Sequence, residues 1–217
     1  GLFIDQGPVV QVRDTDGRVD VLDDPEAGVA WSGPLAVLVD RTSASASEIF
    51  AGAIQDYRRG LILGQPTFGK GTVQQMIPLD RWSGTPTQGQ VTVTIGKFYR
   101  VTGESTQLKG VVPDIELPAV IDTVDVGESV LQYALPWDRI APVDFSPLPA
   151  NGRSVRELLQ AQSARTASDG DYRWLMQGIE SLASARKERS VSLNLEQRQR
   201  ERTAQEQRRL EQENMRR

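Results

Sequence analysis

The chain has 217 residues, 25 Lys and Arg against 29 Asp and Glu, and a net charge of −4, so it can bury a core and shows no basic excess that would draw nucleic acid or an anionic membrane. It has neither cysteine nor histidine. That excludes disulfides, thiolate nucleophiles, thiolate metal sites and any Ser-His-Asp triad built from this chain alone, and makes lysine the natural base near neutral pH.

Residues Gly1 to Gly7 have no basic start and no cleavage pattern, so they are expected to come from the interior of a longer protein. Pro8 to Arg13 alternates loosely and is Val-rich, turn residues follow at Asp14 to Arg18, and Val19 to Leu22 completes a predicted hairpin. The run Leu35-Ala36-Val37-Leu38-Val39 lacks polar alternation, which predicts a strand covered on both faces. Ile49, Phe50, Ala53, Ile54 and Tyr57 then recur at helical spacing, which predicts a helix from about Ser45 to Arg58. Leu61-Ile62-Leu63 follows as a second buried strand, closing a βαβ-like unit. A loop from Gly64 to Gly71 leads to a strand over Thr72 to Ile77, then a Gly- and Pro-rich surface loop over Trp82 to Gln90. Val91 to Ile95 alternates cleanly, Lys97 to Val101 continues extended, and the prolines at 113 and 118 place the end of the α/β core near Pro118. Residues 119–149 read as a proline-rich linker and 150–217 as helical. Ser154 with Glu157 forms an expected capping box, and the Glu-, Gln- and Arg-rich stretch from Glu196 reads as a solvated helix. No apolar run is long enough to span a bilayer.

Two features carry chemistry. Ser45 stands at a helix start in Thr42-Ser43-Ala44-Ser45-Ala46-Ser47-Glu48, where Glu48 three residues on completes an S-x-x-E pattern. On local pattern alone a helix cap is the simpler reading, although a nucleophile gains from the same free N–H groups and dipole. Lys70 lies between two glycines in Phe68-Gly69-Lys70-Gly71, which lets backbone approach closely. A lysine base must spend part of its time neutral, and burial favours that form. Gly64 to Lys70 also matches G-x-x-x-x-G-K, but Gly71 stands where a phosphate loop has Ser or Thr, and a strand follows where a helix is required. Gln74, four residues past Lys70, shares its face at strand period if the strand begins that early.

These segments resemble the C-terminal processing peptidases, most closely the bacterial periplasmic tail-specific proteases. The resemblance is carried by Val39 to Ala51, Gln55-Asp56-Tyr57, Gly64 to Gln75, Lys97 to Val101, Ser105 to Ile115 and Ala134-Leu135-Pro136-Trp137-Asp138. It implies an α/β core of the Clp protease/crotonase-like class, partial here over 1–118, followed by a helical C-terminal region. In the family the nucleophile lies 25 residues before the lysine, as Ser45 does before Lys70. The resemblance therefore implies Ser45 as nucleophile, Lys70 as base, Gln74 as the orienting amide and the Ala46 backbone N–H as an oxyanion donor, without cofactor or metal. It further implies protein substrates gripped by apolar C-termini in the periplasm, with an adaptor protein as a further partner. The family's glycine-rich segment bearing a second oxyanion donor and its PDZ domain have no counterpart in these residues, so the chain alone is expected to be feeble or inactive. The alternative from a different class is a non-catalytic binding or scaffold domain in which Ser45 only caps.

Overall fold

The Val-rich alternation before Asp14 forms the expected hairpin, with β1 (Gly7–Asp14) antiparallel to β2 (Val19–Asp24). The Asp14 carboxylate closes the turn by accepting the N–H groups of Asp16 and Arg18 at 2.9 Å each, the local side-chain turn that Asp favours. The structure, a computed structural model, describes residues 1–80, 89–149, 154–188 and 190–215. Most of the loop expected over Trp82 to Gln90 therefore lies outside the described residues.

Two sheets make up the first of two bodies. β3 (Ala36–Val39), β4 (Leu61–Gly64) and β7 (Ile115–Glu116) form a parallel sheet in the order β3-β4-β7. β5 (Thr72–Pro78) and β6 (Gln90–Tyr99) extend the hairpin into an antiparallel sheet in the order β2-β1-β6-β5. Helix α1 (Ala46–Asp56) joins the parallel strands β3 and β4, which is the βαβ unit that the apolar periodicity predicted. Its inner stripe packs Ala51 and Ile54 against Val39, Ile62 and Val111, with Phe3, Leu35 and Val37 at the margin. Ile54 and Ile62 are almost wholly buried, each contributing about 1.5–3 kcal/mol of transfer free energy.

One expectation about β3 fails. Leu38 is 74% exposed, because β3 is the edge of its sheet and, among the described residues, α1 covers only one of its faces. Unbroken apolarity predicts that a strand can be covered on both sides, and this chain covers one.

The stretch expected as a linker carries a single turn of 3₁₀ helix at Glu128–Val130, yet from Ile121 it belongs to the same body as residues 1–117. The Trp137 indole N–H donates to the Ser105 carbonyl at 2.8 Å, and the Lys97 ammonium binds the Asp138 carboxylate and the Pro136 carbonyl. The Leu148 N–H donates to the Tyr57 carbonyl at 2.9 Å. Proline here suits an extended segment laid along a surface, since its missing N–H needs no partner.

The second body, Pro118–Val120 with Gly152–Arg217, contains α2 (Val155–Thr166), α3 (Gly170–Lys187) and α4 (Leu195–Met215). Ser154, Asp169 and Asn194 cap the three helices through their side-chain oxygens. α4 is a solvated helix laced by pairs such as Arg209–Glu213 at 3.1 Å, each worth only about 0.3–0.5 kcal/mol.

Candidate active site

Ser45 follows β3 and Lys70 follows β4. Because these two strands are parallel neighbours, with Val39 opposite Gly64, both loops emerge at the same carboxyl edge of the sheet, where open α/β sheets place their sites. The link between the loops is direct: the Phe68 N–H donates to the Ser43 carbonyl at 2.9 Å.

The serine-rich run is sorted by its hydrogen bonds. Ser43 is committed to Asp40, whose carboxylate oxygen also accepts from the Thr42 N–H and hydroxyl. The Thr42 hydroxyl first, helped by the other donors against burial, holds the Asp40 carboxyl below its ordinary range. Ser47 is exposed on the first turn of α1. Ser45 sits at the junction itself, half-buried, with φ 57° and ψ −112°. That backbone belongs to a sparsely populated region for a residue with a Cβ and costs about 1–3 kcal/mol.

Backbone strain sets Ser45 apart from an ordinary cap. Ser154 has the same S-x-x-E pattern, takes φ −64° and ψ 152°, and its Oγ accepts the Glu157 N–H, as a capping serine does. The Ser45 Oγ makes no cap hydrogen bond of normal geometry, although it still faces the Glu48 N–H in a looser capping-box arrangement whose other half, the Ser45 N–H on the Glu48 carboxylate, is fully formed. The Ala46 N–H, first in α1, has no helical acceptor, as in any first turn.

The Lys70 loop is packed tightly. Gly69 has φ 91°, and a Cβ there would fall 2.8 Å from the Leu108 carbonyl carbon; at Gly71 it would fall 2.7 Å from the Gln107 nitrogen. Both glycines are thus required by the close approach of the segment Ser105 to Leu108, which answers with the Leu108 N–H on the Gly69 carbonyl at 2.8 Å. Lys70 is half-buried. Among the described residues, the Ser45 hydroxyl and the Lys70 ammonium make no hydrogen bond to each other, a contact that commonly tightens only with substrate bound.

The group that organises both loops is Glu48, which the sequence pattern showed only as a partner in a cap. Its side chain is fully buried. One carboxylate oxygen accepts the Thr67 hydroxyl at 2.5 Å and the Gly69 N–H at 2.7 Å; the other accepts the Ser45 N–H at 2.8 Å and the Lys70 N–H at 2.9 Å. Burial, the largest influence, pushes the Glu48 carboxyl up from its ordinary value against these four hydrogen bonds. The Thr67 hydroxyl accepts the Val111 N–H at 2.7 Å and so has its own proton free for Glu48. Every partner of Glu48 is a donor, and in this arrangement the ionised form is the one the site satisfies. Arg41, 4% exposed, adds a positive charge behind it. Burial lowers the Arg41 pKa and the Glu48 charge opposes the shift.

Gln74 lies in β5 opposite Thr94 and is exposed. β5 begins only at Thr72, so Lys70 lies outside the strand and strand period does not set Gln74 on its face; the register irregularity beside Gln74 falls on β6, where Ile95 is skipped. The described residues contain no cluster of three or more His, Cys, Asp or Glu side chains that could hold a metal ion, and no described helix is long and apolar enough to cross a membrane.

A family model described as Peptidase family S41 matches residues 1–117, and one described as the C-terminal domain of tail specific protease matches residues 121–217. The chain is 44% identical over 216 residues to the tail-specific protease of Haemophilus influenzae, covering 97% of this chain and 31% of that protein. It is 38% identical over 123 residues to the chloroplastic C-terminal processing peptidase of Tetradesmus obliquus, covering 56% of this chain and 25% of that one. The solved photosystem II D1 C-terminal processing protease gives a TM-score of 0.46 at 37% identity, over 56% of this chain and 30% of its own. The chain thus spans less than a third of the length of each of these relatives. Since the S41 model covers more than half of these residues, and the tail-specific protease aligns with nearly all of them, the chain belongs to peptidase family S41.

Proposed function

We propose that this chain carries the nucleophile and base of a serine endopeptidase that degrades proteins selected by apolar C-termini, a tail-specific protease of the periplasm. The observation that carries the reading is the backbone of Ser45, strained at φ 57° and without the side-chain cap hydrogen bond that the chain's other S-x-x-E serine makes. Strain of this kind persists where surrounding structure over-determines it, and here Glu48 does so through the Ser45 N–H.

In the proposed cycle, neutral Lys70 Nζ takes the proton from Ser45 Oγ as the oxygen attacks a peptide carbonyl. The oxyanion is met by the Ala46 N–H at the positive end of α1; a second donor, and the domain that grips substrate C-termini, would lie outside these 217 residues. Lys70 passes its proton to the leaving amine, an acyl-enzyme on Ser45 remains, and water hydrolyses it with Lys70 again as base. Gln74 is assigned the role of orienting the ammonium.

In the intact protein, Ser45→Ala and Lys70→Ala should each abolish cleavage of a peptide ending in apolar residues while leaving the circular dichroism spectrum unchanged. Turnover surviving in either variant would remove the assignment. A fluorophosphonate should label Ser45 in the wild type; no labelling, with no cleavage of such peptides by the wild type, would favour the non-catalytic binding domain.

A further inference from the structure

Lys70 is held by its own loop, Thr67 to Gly71, and that loop is gripped from two sides. Glu48 and the Ser43 carbonyl hold it on the side of the nucleophile. On the other side, three buried residues, Arg41, Gln107 and Glu128, tie it to the segment Thr123 to Ser129. The Gln107 side-chain oxygen accepts the Gly71 N–H at 2.8 Å, and its NH₂ donates to the Glu128 carboxylate at 3.0 Å. The Glu128 backbone N–H donates to the Phe68 carbonyl at 2.9 Å. The Arg41 guanidinium donates to the Thr67 carbonyl inside the loop and to the carbonyls of Thr123 and Val126 in the segment.

The two ends of the Gln107 amide give this linkage a direction. A side-chain amide has one end that accepts and one that donates, so a neighbouring N–H and a neighbouring carboxylate together admit one orientation. Without the carboxylate, the NH₂ end is buried unpaired, and rotation of the amide would set it against the Gly71 N–H, one residue from Lys70. Glu128 therefore decides how Gln107 faces the base loop. Glu128 lies outside residues 1–117, matched by the S41 model, and inside the C-terminal region that starts at 121.

We infer that Glu128, acting through Gln107, is a positioning residue for Lys70, so that the first segment of the C-terminal region holds the catalytic base in place. The inference depends on the Ser45 and Lys70 reading above.

Its test is a charge swap in the intact protein, read by steady-state cleavage of a peptide ending in apolar residues. Gln107→Glu sets two carboxylates face to face. It should lower kcat by at least ~10-fold with KM within about twofold, as expected when a reacting group is displaced by a fraction of an ångström. Adding Glu128→Gln restores a donor facing an acceptor with the ends exchanged, and should return kcat to within about threefold of wild type. The rate at which a fluorophosphonate labels Ser45 should follow kcat through the series. A wild-type kcat in Gln107→Glu, or a double variant as slow as the single, overturns the inference. Should Gln107→Glu fail to fold, Glu128→Ala replaces it with the same expected loss of kcat, and an unchanged kcat there overturns the inference equally. Ser45→Ala and Lys70→Ala separate the two levels: turnover in them refutes the underlying reading, whereas dead controls beside an unaffected Gln107→Glu refute only the role of Glu128.

Discussion

Replacing Glu48 by Gln keeps the volume of the side chain and exchanges one carboxylate oxygen for an NH₂ group. Each oxygen serves two donors, so wherever the NH₂ settles it faces two of them. The milder placement is beside Thr67, whose hydroxyl can turn a lone pair toward the amide; its proton and the Gly69 N–H then lose their acceptor. Two buried donors left unpaired, at about 1–3 kcal/mol each before relaxation, destabilise the loop junction by roughly 2–4 kcal/mol. At 1.36 kcal/mol per decade, local opening around Gly69 and Lys70 should rise by about 30- to 1,000-fold. Hydrogen exchange followed by mass spectrometry on peptides covering residues 67–71 reads this directly, with the α2 peptide as an internal reference. The same variant should lose about 10- to 100-fold in kcat, since the Lys70 loop loses its anchor at Thr67 and Gly69 even though the remaining oxygen still accepts the Ser45 and Lys70 N–H groups. Glu157→Gln, in the exposed capping box of α2, supplies the contrast and should change local exchange by less than about threefold. Unchanged exchange at 67–71 together with unchanged turnover in Glu48→Gln would refute the claim that one carboxylate organises both loops.

Three further outcomes follow from the geometry. Ser45→Gly should be more stable than Ser45→Ala by about 1 kcal/mol in urea unfolding, because glycine adopts φ 57° without penalty, whereas Ser154→Ala should weaken α2 by about 1 kcal/mol through loss of its cap; equal stability of the two Ser45 variants would contradict the strain. Asp56 and Arg100 are paired at 2.5 and 2.9 Å and both are largely buried, so Arg100→Met should destabilise by about 3–5 kcal/mol and Asp56→Leu in the same chain should recover most of it; a double variant no better than the single would show that the uncompensated charge is not the cause. Tyr99, through burial first and then its hydrogen bond to Asp138, has its phenol pushed up to about 12. A raised phenol contributes stability that is complete below its ordinary value near 10 and lost as pH rises through 12. Near-UV circular dichroism should therefore show an alkaline transition between those values that Tyr99→Phe removes, and superimposable curves for the two proteins would count against it. Asp138 works in the opposite sense: burial raises its carboxyl, but hydrogen bonds from Lys97, Arg13 and Tyr99 outweigh that and hold it low, so its contribution is present above the ordinary carboxylate value and lost as pH falls through the lowered one.

Much of the architecture is local and was legible as such. Apolar runs and helical spacing placed β3, α1 and β4 within a few residues, since burying one face of each element is what the pattern encodes. The absence of histidine leaves lysine as the natural base on composition alone. Pattern failed where the deciding partner is distant in the chain. The extent of burial at Leu38 depends on what lies across the sheet, and whether Gln74 shares a face with Lys70 depends on where pairing with β6 lets β5 begin.

Ser45 and Lys70 show the division most clearly. Residue types, glycine placement and the interval from Ser45 to Lys70 are written in the sequence, but Ser45 and Ser154 share one motif, and nothing local separates a capping serine from a strained one. Tertiary structure decides it. Glu48 is drawn across to the Lys70 loop, where its buried carboxylate takes four donors, and its hold on the Ser45 N–H accompanies the backbone twist that denies the hydroxyl a normal cap hydrogen bond. Composition could suggest the chemistry; only the packing of two parallel strands brings the Ser45 and Lys70 loops to the same edge.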